Sequence, residues 1–273
     1  MKLLSGSELA GFIKERQAKA VRGLRQAYNV APKLAIIVAA DNPVIDLYVR
    51  LKKQYGADIL IDVDVHKVDQ SNISETVAKL NIDDSVHGII VQLPLADPSK
   101  NDEVLSLVDP SKDVDALGLA PDFDAATPTA ILWLLAGYNV NLLGKSVVLV
   151  GHGKLVGEPL QRMLENSGVQ VKVCVEGDDV HSFLKTAEVI ITATGKHGVI
   201  SSVDIPPGAV VVDAGVAVES GKTVGDLHPD VYERDDISVT PQKGGVGPLT
   251  ICALFENVIS AAKCSAGIDT KAV

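Results

Sequence analysis

Short β-branched runs alternate with helix-period segments along most of this chain, and that alternation leaves room for one architecture, parallel sheet joined by crossover helices. Strands are expected over residues 34–39, 59–65 and 87–92, with helices over 7–26, 43–55 and 73–80. A second series follows: strand 146–150, helix 155–166, strand 170–175, helix 180–186, and strands 189–193 and 209–213. Thr127-Pro128 opens and Gly137 closes a connecting helix, the placement of proline and glycine that punctuates a boundary. The last helix, 248–263, is long enough to return to the first unit. The expected fold class is therefore α/β with two domains, a discontinuous first one over 1–128 and 249–273 and a second over 129–248. Residues after Cys264 carry no periodic pattern and are expected to fray.

Composition removes several function classes. The 273 residues carry a formal net charge of −10, with aromatics at 4%. Neither the basic footprint nor the stacking surfaces of a nucleic-acid binder are present. The first residues lack the apolar core of a signal peptide, and glycine or charge interrupts every apolar run, so no membrane partner and a cytoplasmic location are expected. Cys174, Cys252 and Cys264 have no metal-ligand spacing, and the six histidines are scattered. No metal site is expected, and reduced thiols fit a reducing compartment.

Two stretches carry candidate chemistry. Tyr48 and Lys52 lie one helical turn apart, so a helix over 43–55 presents phenol and amine on one face. Asp113 and Asp115 place carboxylates in a loop; Asp113 fits a turn-forming role and Asp115 a ligand-binding one. Farther on, strand 146–150 runs directly into Gly151-His152-Gly153-Lys154-Leu155-Val156-Gly157. Glycines at a strand-to-helix turn let backbone N–H groups approach a pyrophosphate, as in a Rossmann-like dinucleotide-binding unit, although the spacing is G-x-G-x-x-x-G and a merely tight turn is the alternative. The next strand ends at Glu176, where such a unit places the acid that holds the adenosine ribose. Ala193-Thr194-Gly195-Lys196 and Asp213-Ala214-Gly215-Val216 close later strands with glycine, as though something flat lay across the strand tips.

Taken together, Tyr48-x-x-x-Lys52, Val91-Gln92-Leu93-Pro94-Leu95, Lys112-Asp113-Val114-Asp115, Thr127-Pro128, the Gly151 turn and Gly244-Gly245-Val246-Gly247-Pro248-Leu249-Thr250 resemble, in order and spacing, the bifunctional methylenetetrahydrofolate dehydrogenase/methenyltetrahydrofolate cyclohydrolase family. The resemblance spans nearly the whole chain. It implies a catalytic N-terminal domain, a Rossmann-like NAD(P) domain, a folate cleft between them, and a homodimer. It also implies Lys52 as the central catalytic group, with Tyr48 packing on folate, Gln92 bonded near the lysine and Asp115 on the pterin edge. Gly245 and Pro248 are implied in substrate binding. Gly151, His152, Gly153, Lys154, Val156, Gly157, Glu176, Thr194, Gly195 and Val216 are implied in cofactor binding. The reactions implied are oxidation of 5,10-methylenetetrahydrofolate and hydrolysis of the methenyl product to 10-formyltetrahydrofolate. A lysine that manages those proton transfers needs a lowered pKa, which burial favours and nearby carboxylates oppose.

Departures from the family pattern are informative. Ile45 replaces a serine, Ala116 replaces the glycine of D-V-D-G, and the loop from there to Thr127 is about ten residues shorter than the resemblance leads one to expect, so substrate affinity and the cyclohydrolase step are the functions placed in doubt. The usual cofactor is NADP, with tetrahydrofolate as coenzyme-substrate. Here His152-Gly153 replaces the usual arginine-serine, and Glu176 replaces a hydroxyl-bearing residue. A carboxylate accepts ribose hydroxyls but repels a 2′-phosphate, which shifts the expectation toward NAD. A dehydrogenase alone, a shikimate-dehydrogenase-like enzyme and a non-catalytic folate- or nucleotide-binding paralogue are the alternatives.

Overall fold

The structure is a computed structural model that describes residues 1–40, 42–219 and 222–268. The chain divides into two compact units, one built from Met1–Ala10 with Thr127–Thr250, the other from Gly11–Ala126 with the chain from Ile251 onward. The first ten residues thus belong with the second α/β series, where the sequence pattern put them with the first. The reason is a short strand pairing: β1 (Lys2–Leu3) lies parallel to the strand at Ser238–Val239. Two residues are too few to show a period, and their partner is more than 230 residues away in the chain.

In the unit built on Gly11–Ala126, β2 (Lys33–Val38) is central in a parallel sheet ordered β3-β2-β4, with β3 at Asp62–Lys67 and β4 at Gly88–Val91. Helix α1 (Gly6–Tyr28) precedes it, and α2 (Pro43–Asp58) and α3 (Ile73–Asn81) are the crossovers. Helix α2 starts where its residues dictate. The Asn42 side chain accepts from the Val44 N–H at 2.8 Å, and Pro43 occupies the first turn, where it loses no hydrogen bond. The apolar run Ile59-Leu60-Ile61, expected to begin the second strand, instead finishes this helix. Leu60 takes φ +66°, the Ile61 N–H returns to the Gly56 carbonyl at 2.8 Å, and the strand begins at Asp62. Short α4 (Asn101–Leu105) follows β4.

The other unit carries a six-stranded parallel sheet. After α5 (Ala126–Gly137) come β5 (Val147–Val150), α6 (Gly157–Asn166), β6 (Val171–Cys174), α7 (Val180–Leu184), β7 (Val189–Thr192) and β8 (Val210–Asp213). A two-stranded ribbon, β9 (Ala217–Glu219) with β10 (Lys222–Val224), and β11 (Ser238–Val239) complete it. The order is β1-β11-β8-β7-β5-β6. The chain leaves β5 for β6 on one side and comes back to β7 on the other. That reversal is the switch point at which open α/β sheets bind ligands, beyond the strands' C-terminal ends. Strands β5 and β7 are buried throughout, as parallel strands covered on both faces must be.

Helix α8 (Val246–Ser265) closes the chain. From Ile251 it packs in the unit of β2–β4: Phe255 meets Tyr55 with ring centroids 5.0 Å apart, and Gln17 donates to the Cys252 carbonyl at 2.8 Å while accepting the Tyr55 hydroxyl at 2.7 Å. The helix ends at Ser265, one residue past Cys264, and residues 269–273 lie outside the described residues.

Candidate active site

In the unit of β2–β4, the amphipathic stripe of α2 decides where Lys52 goes. Ile45 and Val49 are buried, as is Gly56, and Lys52 falls on the same stripe three residues after Val49. Ile45, standing where a serine is usual, is only 2% exposed and fills core. Lys52 is half-buried and donates its ammonium to Gln92 Oε1 at 2.9 Å. Gln92 directly follows β4, its backbone N–H held by the Ile37 carbonyl and its side-chain Nε2 donating to the Leu93 carbonyl at 3.0 Å. The second bond fixes which end of the amide faces the lysine. Burial holds the Lys52 pKa below the ordinary 10.5, and the negative charge of Asp115 opposes this without prevailing. The contest that the sequence left open is therefore won by burial. Tyr48 stands one turn earlier on α2 with its side chain accessible, 36% exposed.

Asp113 meets β4 through a single isolated bridge, and Val114 and Asp115 form the turn that follows. Ile89 bridges Asp113 in parallel, and its N–H donates to the Lys112 carbonyl at 2.8 Å. Val114 is wholly buried, and Asp115, half-buried, lies near enough to Lys52 for its negative charge to act on the amine. Asp113 is occupied locally: it accepts the Gly118 N–H at 2.7 Å, and burial raises its carboxyl. A residue that no motif flagged holds this loop. Asn257 on α8 donates to both the Val114 and the Asp124 carbonyls, each at 2.9 Å, so one amide ties the two ends of the shortened segment. Ala116, in the usual glycine position, adopts φ +57°.

The other unit holds the glycine turn. Gly151 has φ +99°, and a Cβ there would meet the Ala193 carbonyl oxygen at 2.7 Å; at Gly157 a Cβ would collide with the backbone of Gly151 and His152. Those two glycines are required by the turn itself. Gly153 is different, because a Cβ there would meet nothing within 4 Å. Its bare backbone is open on the outside of the turn, as a pyrophosphate approach requires. Helix α6 begins at Gly157, two residues later than expected, since Lys154 to Val156 are spent on the turn. His152 contacts Gln161 through Nε2 at 2.6 Å.

The tips of β6, β7 and β8 gather the remaining candidates. Glu176 sits in a turn beyond β6 and pairs with Lys196 at 2.5 Å. Thr194, Gly195 and Lys196 follow β7, and Val216, 56% exposed, follows β8, with its carbonyl 3.5 Å from where a Gly195 Cβ would stand. Two buried carboxylates shape these tips, Asp226 absent from every motif and Asp213 visible only as the first residue of a strand-end turn. Asp226, fully buried, accepts the Thr192 hydroxyl and the N–H groups of Thr194 at 2.6 Å and Lys196 at 3.1 Å. Asp213 accepts from the N–H groups of Gly215, Asp226 and Leu227, and burial lifts its carboxyl to about 6. Gly245 is confined, a Cβ there reaching 3.1 Å from Thr240, and Pro248 lies in the first turn of α8, which begins at Val246.

Among the described residues no cluster of histidine, cysteine and acidic side chains fits a metal ion, and no helix is long and apolar enough to cross a membrane.

Known proteins place this arrangement. The pattern described as the tetrahydrofolate dehydrogenase/cyclohydrolase catalytic domain matches residues 4–115, and that of the family's NAD(P)-binding domain matches residues 125–266. Bifunctional protein FolD of Acetivibrio thermocellus is 36% identical over 280 residues, covering 97% of this chain and 98% of the relative. The crystal structure of FolD methylenetetrahydrofolate dehydrogenase/cyclohydrolase from Campylobacter jejuni superposes with a TM-score of 0.90 at 35% identity, covering 97% of this chain and 99% of that one. The Trypanosoma brucei N5,N10-methylenetetrahydrofolate dehydrogenase-cyclohydrolase, complexed with NADP cofactor and inhibitor, gives 0.89 at 28% identity, covering 96% and 97%. With both domain patterns matched in order over nearly the full length, the chain belongs to the tetrahydrofolate dehydrogenase/cyclohydrolase family.

Proposed function

We propose that this protein oxidises 5,10-methylenetetrahydrofolate to the 5,10-methenyl form with a nicotinamide dinucleotide, and hydrolyses that product to 10-formyltetrahydrofolate. The observation that carries the reading is the half-buried Lys52 amine, bonded to an oriented Gln92 and kept below its ordinary pKa, in a chain that matches FolD proteins from end to end. Family membership sets aside the shikimate-dehydrogenase-like alternative.

A bound NAD(P) would supply the hydride acceptor for the one-carbon bridge, and the chain's part would be alignment. Gly151, Gly153 and Gly157 would hold the pyrophosphate, with His152, Lys154 and Val156 flanking it, and Thr194, Gly195 and Val216 would complete the cofactor contact. Tyr48 offers folate a ring face and a polar tip, and Asp115 accepts hydrogen bonds from the amino-pyrimidinone edge. Gly245 and Pro248 shape the substrate's backbone surroundings. In the hydrolytic step a water adds to the methenyl carbon and gives up a proton, and the ring nitrogen that leaves that carbon must be protonated. Lys52 handles those protons, its burial easing loss of the ammonium proton.

Glu176 makes NAD the better substrate of the two dinucleotides, since a carboxylate at the ribose accepts its hydroxyls and repels a 2′-phosphate. A cytoplasmic homodimer completes the proposal, the dimer on the strength of the family resemblance.

The test is direct. Purified protein is incubated with 5,10-methylenetetrahydrofolate and either NAD or NADP, following reduced cofactor and methenyl absorbance together. Reduced cofactor with methenyl decay well above the spontaneous rate is expected. Methenyl accumulation without accelerated decay would leave a dehydrogenase only, and binding without turnover would leave a non-catalytic paralogue.

A further inference from the structure

Glu176 does not stand alone at the tip of β6. Its carboxylate is paired with Lys196 at 2.5 Å, a residue twenty positions later that follows a different strand. The two side chains differ in how they are mounted. The Lys196 backbone is fixed: Asp226 accepts its N–H at 3.1 Å and that of Thr194 at 2.6 Å, and Gly195 between them turns the chain at φ +67°. Asp226 is itself fully buried and held through its own N–H by Asp213 at 3.1 Å. The loop after β7 is thereby a rigid platform, and only the four-carbon stem of Lys196 is left to move. The pair at the end of that stem is open to water, with the lysine side chain 58% and the glutamate side chain 84% exposed. Exposed ion pairs exchange partners readily, because each charge is nearly as well solvated apart as together.

We propose that Lys196 is a specificity-determining residue of the cofactor site: its ammonium neutralises Glu176 when the adenosine ribose carries free hydroxyls, and swings to the 2′-phosphate when the nucleotide is NADP. This rests on the reading that the adenosine ribose lies at Glu176. On this view the glutamate sets the preference for NAD, and the lysine sets how strict that preference is. An ammonium suits the task, being a compact charge on a flexible stem that binds phosphate as a point charge. A phosphate that displaces the carboxylate gains a cation but meets Glu176 unmasked, so the two residues must act on NADP in a coupled way.

A double-mutant cycle on the full chain tests this, with wild type, Glu176→Gln, Lys196→Met and the double variant, reading kcat/KM for NAD and for NADP with 5,10-methylenetetrahydrofolate saturating. Expected is a rise of about tenfold in the NADP/NAD ratio for Glu176→Gln while Lys196 is present, the size of one charge-assisted hydrogen bond. In the Lys196→Met background the same change should raise the ratio less than about threefold, and Lys196→Arg should keep most of the effect. Lys196→Met alone should lower NADP use by a larger factor than NAD use. Equal gains from Glu176→Gln with and without Lys196 would overturn the proposal. Failure of the ribose reading looks different: a wild type that favours NADP and is unmoved by Glu176→Gln. Lys196 would then stand or fall on whether Lys196→Met selectively loses NADP.

Discussion

Lys52 on α2 donates its ammonium to Gln92 Oε1 at 2.9 Å, and Gln92 cannot rotate away without giving up the 3.0 Å bond to the Leu93 carbonyl. The amine is thus held at the C-terminal edge of the β3-β2-β4 sheet by a neutral partner. Lys52→Met should lower the rate of methenyl hydrolysis by about a hundredfold or more, the usual size of a lost acid-base group, while the protein stays folded. Gln92→Ala should cost less, since the amine remains but loses its aim. Both are read from the decay of methenyl absorbance against the spontaneous rate; a Lys52→Met enzyme as fast as wild type would remove the amine from the chemistry.

Burial lowers the Lys52 pKa, and Asp115 pushes it back up. Removing the carboxylate charge with Asp115→Asn therefore lets the pKa fall further, so the free amine persists to lower pH. If the amine acts as a base, hydrolysis in wild type rises with pH through this group, and the rising limb should move toward lower pH in the variant. The comparison is the pH profile of kcat for methenyl hydrolysis; a limb that stays put, or moves up, contradicts the assigned coupling. The same substitution should raise KM for folate, because an amide carbonyl accepts on one side only.

Asn257 ties the Val114 and Asp124 carbonyls with two bonds of 2.9 Å. Asn257→Ala should destabilise the protein by about 1–3 kcal/mol, the worth of two such bonds. Because the loop they close carries Asp115, KM for folate should rise while KM for NAD or NADP stays near the wild-type value. Equal shifts in both would mean general unfolding in place of a loosened loop.

What the sequence displayed and what it concealed divide along one physical line. Periodicity reports on residues three, four or two apart, so it located the face of α2 that carries Tyr48 and Lys52, the central strands, and the glycine turn after β5. It says nothing of hydrogen bonds between residues remote in the chain. Asn257 reaches back 143 positions to Val114, and Asp226 reaches 32 positions to Thr194, each as a single polar residue with no repeating partner. The same blindness hid β1, whose two residues pair with β11 at the far end of the chain. Lys196 was visible only as the last residue of a strand-end turn; its tie to Glu176 needed the two strand tips side by side. Gln92 was legible through its motif alone, since nothing in a glutamine after a strand distinguishes a ligand of Lys52 from a backbone cap.

Ala116 stands at φ +57° where glycine is usual. An L-residue in that region costs about 1–2 kcal/mol, and glycine gives back about 0.5–1 kcal/mol through the entropy of the unfolded chain. Ala116→Gly should therefore leave the protein slightly more stable, by roughly 0.5–1 kcal/mol. Urea unfolding midpoints decide the sign, and a lower midpoint in the variant would show that the surrounding loop favours the strained alanine.

Gly151 and Gly153 are two residues apart and should respond in opposite ways to the same added methyl group. At Gly151 the backbone is left-handed and the new Cβ would stand 2.7 Å from the Ala193 carbonyl oxygen, so Gly151→Ala should cost several kcal/mol and lower Tm with or without cofactor. At Gly153 nothing lies within 4 Å, so Gly153→Ala should change stability by no more than about 0.5 kcal/mol. Its effect should instead fall on the dinucleotide, because the methyl group stands where the pyrophosphate must come close to the main chain. KM for NAD and NADP should rise together by about tenfold, with methenyl hydrolysis untouched, since that step uses no nucleotide. The measurements are thermal unfolding without ligand and the two activities side by side. A Gly153→Ala protein with unchanged dinucleotide KM would mean that the open side of this turn faces only water, and that the pyrophosphate has to be sought elsewhere along the tips of β5 and β7.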